Sequence, residues 1–269
     1  MLIISVALFA EAKPIINHFH LKQNTNITNF KIWENDRIRL VITGTGKEMA
    51  AASIAFVAAK TQDISAFLNI GIAGHRDLDI GEVILASKVK DFSSKKSYYP
   101  SLIVNTPLKL ENILTFDKIE KNYIDDYCHD MESSGFCASA SKFLPCDLIC
   151  VLKIISDNNL YSIGLITEKK ISSLIEEKIN IIENVIDKIT ITMNKYKESK
   201  GKKMNFETYI EKYKLSSSQK KNLKDVLENL YFLNPKKELE TTNPNEVLIR
   251  LKENLKNTPL SFSKKKVYD

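Results

Sequence analysis

Residues 65–74 read Ser-Ala-Phe-Leu-Asn-Ile-Gly-Ile-Ala-Gly. A short, almost wholly apolar run ending in Gly71-Ile72-Ala73-Gly74 is the pattern of a strand covered on both faces, with a glycine turn at its carboxyl end. Upstream, Ile38 to Thr43 is strand-like, Gly44-Thr45-Gly46-Lys47 is a turn, and Met49 to Lys60 is an alanine-rich helix. Phe30 to Glu34 and Ile38 to Thr43 flank Asn35-Asp36 and predict a hairpin. Ile3 to Leu8, Glu82 to Lys88 and Asp147 to Ile155 predict further strands. Met131 to Phe143 has helical periodicity, and Glu168 to Tyr196 predicts one long amphipathic helix or two. Residues 91–127 are polar, broken by Pro100 and Pro107, and carry no clear period. Strands alternating with helices predict an α/β fold: a mixed, largely parallel central sheet flanked by helices. Ligands of such sheets gather at the carboxyl ends of strands. That directs attention to Ala10–Lys13, Gly44–Lys47, Gly71–Arg76 and the end of the 147–155 strand.

The chain has 269 residues, 43% apolar and 27% charged, a composition that excludes fibrous and wholly disordered classes. Its net charge of +6 is uneven. Residues 1–199 carry 23 basic and 24 acidic side chains, whereas residues 200–269 carry 16 and 9. Seven of the eight glycines also precede residue 200. These shifts predict two units, an α/β domain over 1–199 and a basic, all-helical extension over 200–269, joined through Lys200-Gly201-Lys202-Lys203. In the extension Leu223, Val226, Leu227 and Leu230 share a helical face, and Asn243-Pro244-Asn245-Glu246 has the chemistry of a helix start. Its field suits nucleic acid. Its lysines alternate with acids, however, and no aromatic platform accompanies them, so a solvated module or one that docks a protein partner is the expectation, with nucleic acid as the alternative.

Cys128, Cys137, Cys146 and Cys150 form no CxxC pair and have no histidine at zinc-ligand spacing. Cys146 and Cys150 read as buried thiols, and neither a metal nor an organic cofactor is expected. Residues 1–14 lack a basic leader and contain Glu11, so they read as a first buried strand rather than a signal peptide. No stretch approaches the roughly 18 apolar residues of a membrane span. A reducing, cytoplasmic compartment with no membrane association is the expectation.

Three carboxylates stand near strand ends or helix starts: Glu11, Glu132 and Asp157. Carboxylates in separate environments can divide acid and base roles, because those environments push their pKa values apart. The alternative is capping: Asp157 closing the turn after its strand, and Asp130 or Glu132 favouring a helix N-terminus. The G-T-G-K turn has neither the spacing of a Walker A loop nor that of a dinucleotide fingerprint. It either binds an anion through backbone N–H groups or allows a tight turn.

In order along the chain stand A-L-F-A-E-A-K (7–13), G-T-G-K (44–47), N-I-G-I-A-G (69–74), G-E-V-I-L-A (81–86), D-M-E-S-S-G-F (130–136) and I-S-D (155–157). This combination resembles the nucleoside phosphorylase/nucleosidase superfamily, most closely its methylthioadenosine/S-adenosylhomocysteine nucleosidase branch, over residues 1–197. The resemblance implies cleavage of the N-glycosidic bond of a purine nucleoside, through an oxocarbenium-like ribose with negative charge growing on the base. It implies that Asp157 protonates the purine at N7 and that Ser156 helps hold that carboxylate. It further implies that Glu132 binds the ribose 2′-hydroxyl, that Met131 packs on the sugar, and that Gly71, Ile72 and Gly74 line the pocket. A homodimer is also implied.

The phosphorylases of the superfamily hold phosphate with arginines, one of them in an early G-D-P-x-R motif. The matching segment here is Leu8 to Lys13, and the chain has only Arg37, Arg39, Arg76 and Arg250. The hydrolases instead place a glutamate there as the base for water, which favours hydrolysis with Glu11 as that base. Without gaps the catalytic glutamate aligns with Ala12, so Glu11 requires one residue of slippage. Residues 91–127 depart from the adenine-recognition loop, and Phe116 is either a purine-stacking ring or a core residue. His75 and Arg76, which follow the glycine turn, are expected in a solvated turn. Two rivals follow: a phosphorylase using Lys13 and Arg76, and a catalytically degenerate nucleoside-binding protein.

Overall fold

The apolar runs form a mixed sheet in a computed structural model that describes residues 1–199, except 62, 64–65, 103–106, 121, 124–125, 163 and 165, together with Ser217 and Lys220. In chain order the strands are β1 (Leu2–Val6), β2 (Lys22–Gln23), β3 (Lys31–Glu34), β4 (Ile38–Ile42), β5 (Ala66–Gly74), β6 (Val83–Asp91), β7 (Ser97–Tyr98), β8 (Lys109–Thr115), β9 (Cys128–Asp130) and β10 (Ile149–Asp157). The helices are α1 (Phe9–His18), α2 (Lys47–Lys60), α3 (Ser133–Ala140), α4 (Glu168–Glu177) and α5 (Ile179–Ser199). The chain divides into compact units over Met1–Lys195 and Tyr196–Asp269. Of the extension only Ser217 and Lys220 are described, so the helical face of Leu223, Val226, Leu227 and Leu230 and the helix start at Asn243-Pro244-Asn245-Glu246 lie outside the described residues.

Parallel pairings join β1 to β4 and β5, β5 to β10, β6 to β8, and β8 to β9. The hairpin expected around Asn35-Asp36 is the antiparallel pair β3–β4. Asn35 closes it, its Oδ1 accepting the N–H groups of Arg37 (2.9 Å) and Ile38 (2.8 Å). Because β5 bonds to both β9 and β10, the path β10-β6-β8-β9-β5 closes on itself, and β1, β4, β3 and β2 extend outward. β5 pairs with β1 over Ala66–Asn69 and with β9 at Gly74, so its neighbours part between those points. At the far end of β10 the register with β5 slips by one residue between Ile155 and Asp157, a bulge centred on Ser156.

Helices α2 and α3 cover one face. Ala50, Ile54, Val57, Phe136 and Ala140 join Ile3, Val41 and Phe67 in one core. The long amphipathic pattern resolves into two helices that part at Lys178, and α5 buries Ile182, Val185, Ile186, Ile189 and Met193 along one stripe. The first strand ends at Val6 rather than at the expected Leu8, and the first helix begins at Phe9, so Glu11 lies in its first turn. Two further differences concern single residues. Cys150 is buried but Cys146 is exposed, because it sits in the turn before β10. Residues 91–127 contain β8, whose first two residues are exposed and whose last three are buried, so no alternation announces it.

Gly135 sets the approach of α3 to α2. A Cβ there would overlap the carbonyl of Lys47 at the start of α2, and backbone cannot yield as a side-chain tip does. Gly135→Ala is therefore expected to lower folding stability by about 3 kcal/mol, the upper part of the overpacking range, as read by chemical denaturation. An unchanged midpoint would contradict this account of the α2–α3 contact.

Candidate active site

Where β1 and β9 part along β5, a cavity of about 280 Å³ opens. Its wall includes Leu8 and Glu11 from the β1–α1 corner, Thr45, Ile72 to Gly74, Phe116, Lys118 to Glu120, Tyr123, His129 to Glu132, and Ser156 and Asp157. The sheet thus brings together Glu11, Ile72, Gly74, Met131, Glu132, Ser156 and Asp157, which are remote in sequence. Gly71 stands behind the wall. A Cβ there would lie 3.0 Å from Glu11 Oε1 and 3.3 Å from Lys153 Nζ, so this glycine makes room for charges.

Glu11 is 2% exposed. Its Oε2 accepts the N–H groups of Ala7 and Leu8, both at 2.9 Å, and its Oε1 accepts that of Ile72 at 3.0 Å. The Ile72 N–H lies where β5 has lost its strand neighbour, so the carboxylate satisfies a backbone donor there. Three of about four acceptor positions on the carboxylate are filled, leaving one on Oε1. Burial raises the Glu11 pKa above its ordinary value, opposed by these N–H groups and by Lys153.

Lys153 is the residue that sequence reasoning passed over. It sits mid-strand in β10, 1% exposed, with its Nζ 2.9 Å from Asp130 Oδ2. Burial alone would lower its pKa, but Asp130, Glu132 and Glu11 outweigh burial and raise it. Asp130 is fully engaged. Besides Lys153, it accepts from Thr115 Oγ1 (2.7 Å), the Ser133 N–H (2.9 Å) and Ser133 Oγ (2.5 Å). Burial would raise the Asp130 pKa, yet Lys153 and the hydroxyls bring it below the ordinary carboxylate value. The signal for Lys153 was present, since a lysine in a nearly continuous apolar strand demands counter-charges.

Glu132 accepts the N–H of Gly46 on Oε1 at 2.9 Å. The G-T-G-K turn therefore does hold an anion, and that anion is the protein's own carboxylate. Gly44 and Gly46 supply the left-handed backbone (φ 82° and 102°) that makes the turn. Burial, with Asp130 and Glu11 adding repulsion, raises the Glu132 pKa to about 7 despite Lys153 and the Gly46 N–H.

Asp157, 1% exposed, ends β10. Its Oδ1 accepts from Ser156 Oγ at 2.5 Å, and its Oδ2 accepts from the Tyr123 hydroxyl. Tyr123 had no sequence signal, because it lies in the aperiodic 91–127 stretch. Phe116 is both a cavity-wall and a buried residue, stacked on Phe92 with ring centroids 4.6 Å apart and tilted against His129. His75 is buried rather than solvated, because its Nδ1 accepts the N–H groups of Asp77 (3.0 Å) and Leu78 (3.1 Å) and so closes the turn. Arg76 is partly exposed and pairs with Asp77 and Asp126. Lys13 is exposed, and neither it nor Arg76 lines the cavity. Among the described residues no cluster of His, Cys, Asp and Glu could hold a metal, and no helix is long and apolar enough to cross a membrane.

No protein-family profile and no curated protein matches the sequence. Solved structures do match. The Helicobacter pylori 5′-methylthioadenosine/S-adenosylhomocysteine nucleosidase superposes with a TM-score of 0.58 at 17% identity, covering 69% of this chain and 97% of its own. The chain has the nucleoside phosphorylase/nucleosidase fold. The Arabidopsis thaliana 5′-methylthioadenosine nucleosidase gives 0.58 at 18% identity, covering 70% of this chain and 95% of its own. Futalosine hydrolase of Helicobacter pylori gives 0.58 at 16% identity, with 69% and 97% covered. Within this fold the cavity lies at the carboxyl ends of β5 and β10, the place where α/β sheets bind ligands.

Two predictions follow from the buried charges. Removing Lys153 strands several carboxylates, so Lys153→Met is expected to cost about 3–5 kcal/mol of stability, measured by urea unfolding at neutral pH. Because the Glu132 pKa in the fold, about 7, exceeds its ordinary 4.5, the folded state keeps a proton that the unfolded chain releases. The stability this proton contributes is present in full below pH 4.5 and is lost as pH rises through about 7. Thermal melting of Glu132→Gln is expected to fall less between pH 5 and pH 8 than that of the wild type.

Proposed function

We propose that this protein hydrolyses the N-glycosidic bond of a purine nucleoside of the methylthioadenosine/S-adenosylhomocysteine type, releasing the base. The observation that carries this reading is one cavity whose wall includes, among its acidic side chains, three carboxylates in different environments: Asp157 held by two hydroxyls, Glu11 held by three N–H groups, and Glu132 held by one. The solved structures with this fold include nucleosidases and a hydrolase, which agrees with the reading.

Each group has a task that suits its surroundings. Asp157 donates a proton to the departing base, so that the C1′–N bond breaks without expelling a purine anion. Glu11, with one acceptor position open and its proton affinity raised by burial, takes the proton of the attacking water. Glu132, once ionised, accepts the ribose 2′-hydroxyl. Met131 supplies an apolar surface for the sugar. The carboxylates also stabilise positive charge on the ribose as it develops. Water rather than phosphate is the nucleophile in this reading. Lys118 is the lone cation on the cavity wall among the described residues, and Lys13 and Arg76 stand elsewhere.

The test is base release from methylthioadenosine, S-adenosylhomocysteine, adenosine and futalosine, with and without phosphate. Release without phosphate is expected, falling by roughly 10²–10⁴-fold in Asp157→Asn and in Glu11→Gln, the usual worth of general acid–base groups. Release only with phosphate would move the assignment to a phosphorylase, and binding without release would leave a nucleoside-binding protein. The same assay carries a pH prediction. Since the ionised form of Glu132 is the acceptor, the ascending limb of kcat/KM is expected to rise through about pH 7 and to be absent in Glu132→Gln. A 2′-deoxy substrate is expected to lose roughly tenfold or more in kcat/KM, the worth of a hydrogen bond to a charged group.

A further inference from the structure

Tyr123 stands outside the carboxylate machinery derived so far, yet it reaches the group proposed to drive bond breaking. It lies between β8 and β9, on a stretch with no regular structure among the described residues, and is nonetheless 7% exposed. Its ring is tilted against His129, with centroids 5.1 Å apart, and His129 in turn rests on Phe116. Its hydroxyl donates to Asp157 Oδ2. Gly74 makes that approach possible, since a Cβ at this position would overlap both the Tyr123 hydroxyl and Asp157 Oδ2. Three features therefore converge on one oxygen atom: a buried ring, an aimed hydroxyl and an adjacent residue without a side chain.

We propose that Tyr123 is a positioning residue that orients the Asp157 carboxyl and stabilises the carboxylate left when its proton passes to the departing base. The inference rests on the reading of Asp157 as the acid. In the reaction, the proton on Asp157 Oδ2 moves to the purine nitrogen, and the electron pair of the C1′–N bond goes to the base. Water forms the new C1′–O bond and gives one proton to Glu11. Asp157 ends as an anion with the Ser156 hydroxyl on Oδ1 and the Tyr123 hydroxyl on Oδ2. Both donors are in place before the charge appears, so no reorganisation accompanies the step. Tyr123 keeps its own proton throughout, and burial, with Asp157 beside it, raises the pKa of its phenol and so preserves it as a donor.

The experiment is Tyr123→Phe, which retains the ring and its packing and removes only the hydroxyl. Two substrates are compared in wild type and variant: the best purine nucleoside found above, and a 4-nitrophenyl riboside whose leaving group departs without protonation. On the nucleoside, kcat is expected to fall roughly ten- to a hundredfold, the worth of a hydrogen bond to a charged group, with KM changed less than threefold. On the nitrophenyl riboside the loss is expected to shrink to less than threefold, which also shows that the variant retains its site. An unchanged kcat on the nucleoside, an equal loss on both substrates, or a change confined to KM would overturn the inference and leave the hydrolase reading standing. No base release by the wild type would overturn both.

Discussion

A lysine ammonium at the centre of an apolar strand must be neutralised where it stands, and much of this molecule's site is arranged around that need. Lys153 points from β10 towards Asp130 at the end of β9, with Glu132 and Glu11 close enough to shape its proton affinity. One cation among three carboxylates leaves an excess of negative charge in a place without bulk water. The fold absorbs that excess with fixed donors. Asp130 takes two hydroxyls and an N–H, Glu11 takes three N–H groups, and Glu132 takes the Gly46 N–H. Buried charges persist when they are paired and their remaining lone pairs are met.

The same arrangement explains why the glycines stand where they do. Gly71 vacates the space that Lys153 and Glu11 fill, Gly46 turns its N–H towards Glu132, Gly74 admits the Tyr123 hydroxyl to Asp157, and Gly135 lets α3 press on the carbonyl of Lys47. These are four separate steric reasons. The two glycine turns that looked alike in sequence differ in kind. One is a positive-φ loop that presents a donor, and the other is the end of a strand that makes room.

The fold was legible because its long strands are continuous apolar runs and its helices carry clean stripes. β5, β10, α2 and the hairpin stand close to where the sequence places them. The residues near Asp157 and Glu132 were legible because they terminate such elements. What escaped did so for physical reasons. Lys153 was absorbed into the apolar run around it, although its charge was the informative departure. β8 runs from an exposed start to a buried end and so shows no period. Tyr123 is placed by tertiary contacts alone, which no local pattern records. Counting positions aligns the family glutamate with Ala12, whereas the helix beginning at Phe9 turns Glu11 towards the cavity and leaves Ala12 a small core residue.

The bulge at Ser156 bears on how this strand can vary. Side chains alternate across a strand, and one added residue reverses the alternation beyond it. Ser156 and Asp157 owe their positions to that reversal as much as to their identity. The apolar residues of β10 can therefore be exchanged for others of similar volume. Its length is under a stricter rule: deleting or inserting a single residue near Ser156 would turn the acid away from the cavity while leaving every functional group in the sequence. Within this fold, a comparison of sequences that scores identity but ignores spacing would miss that loss.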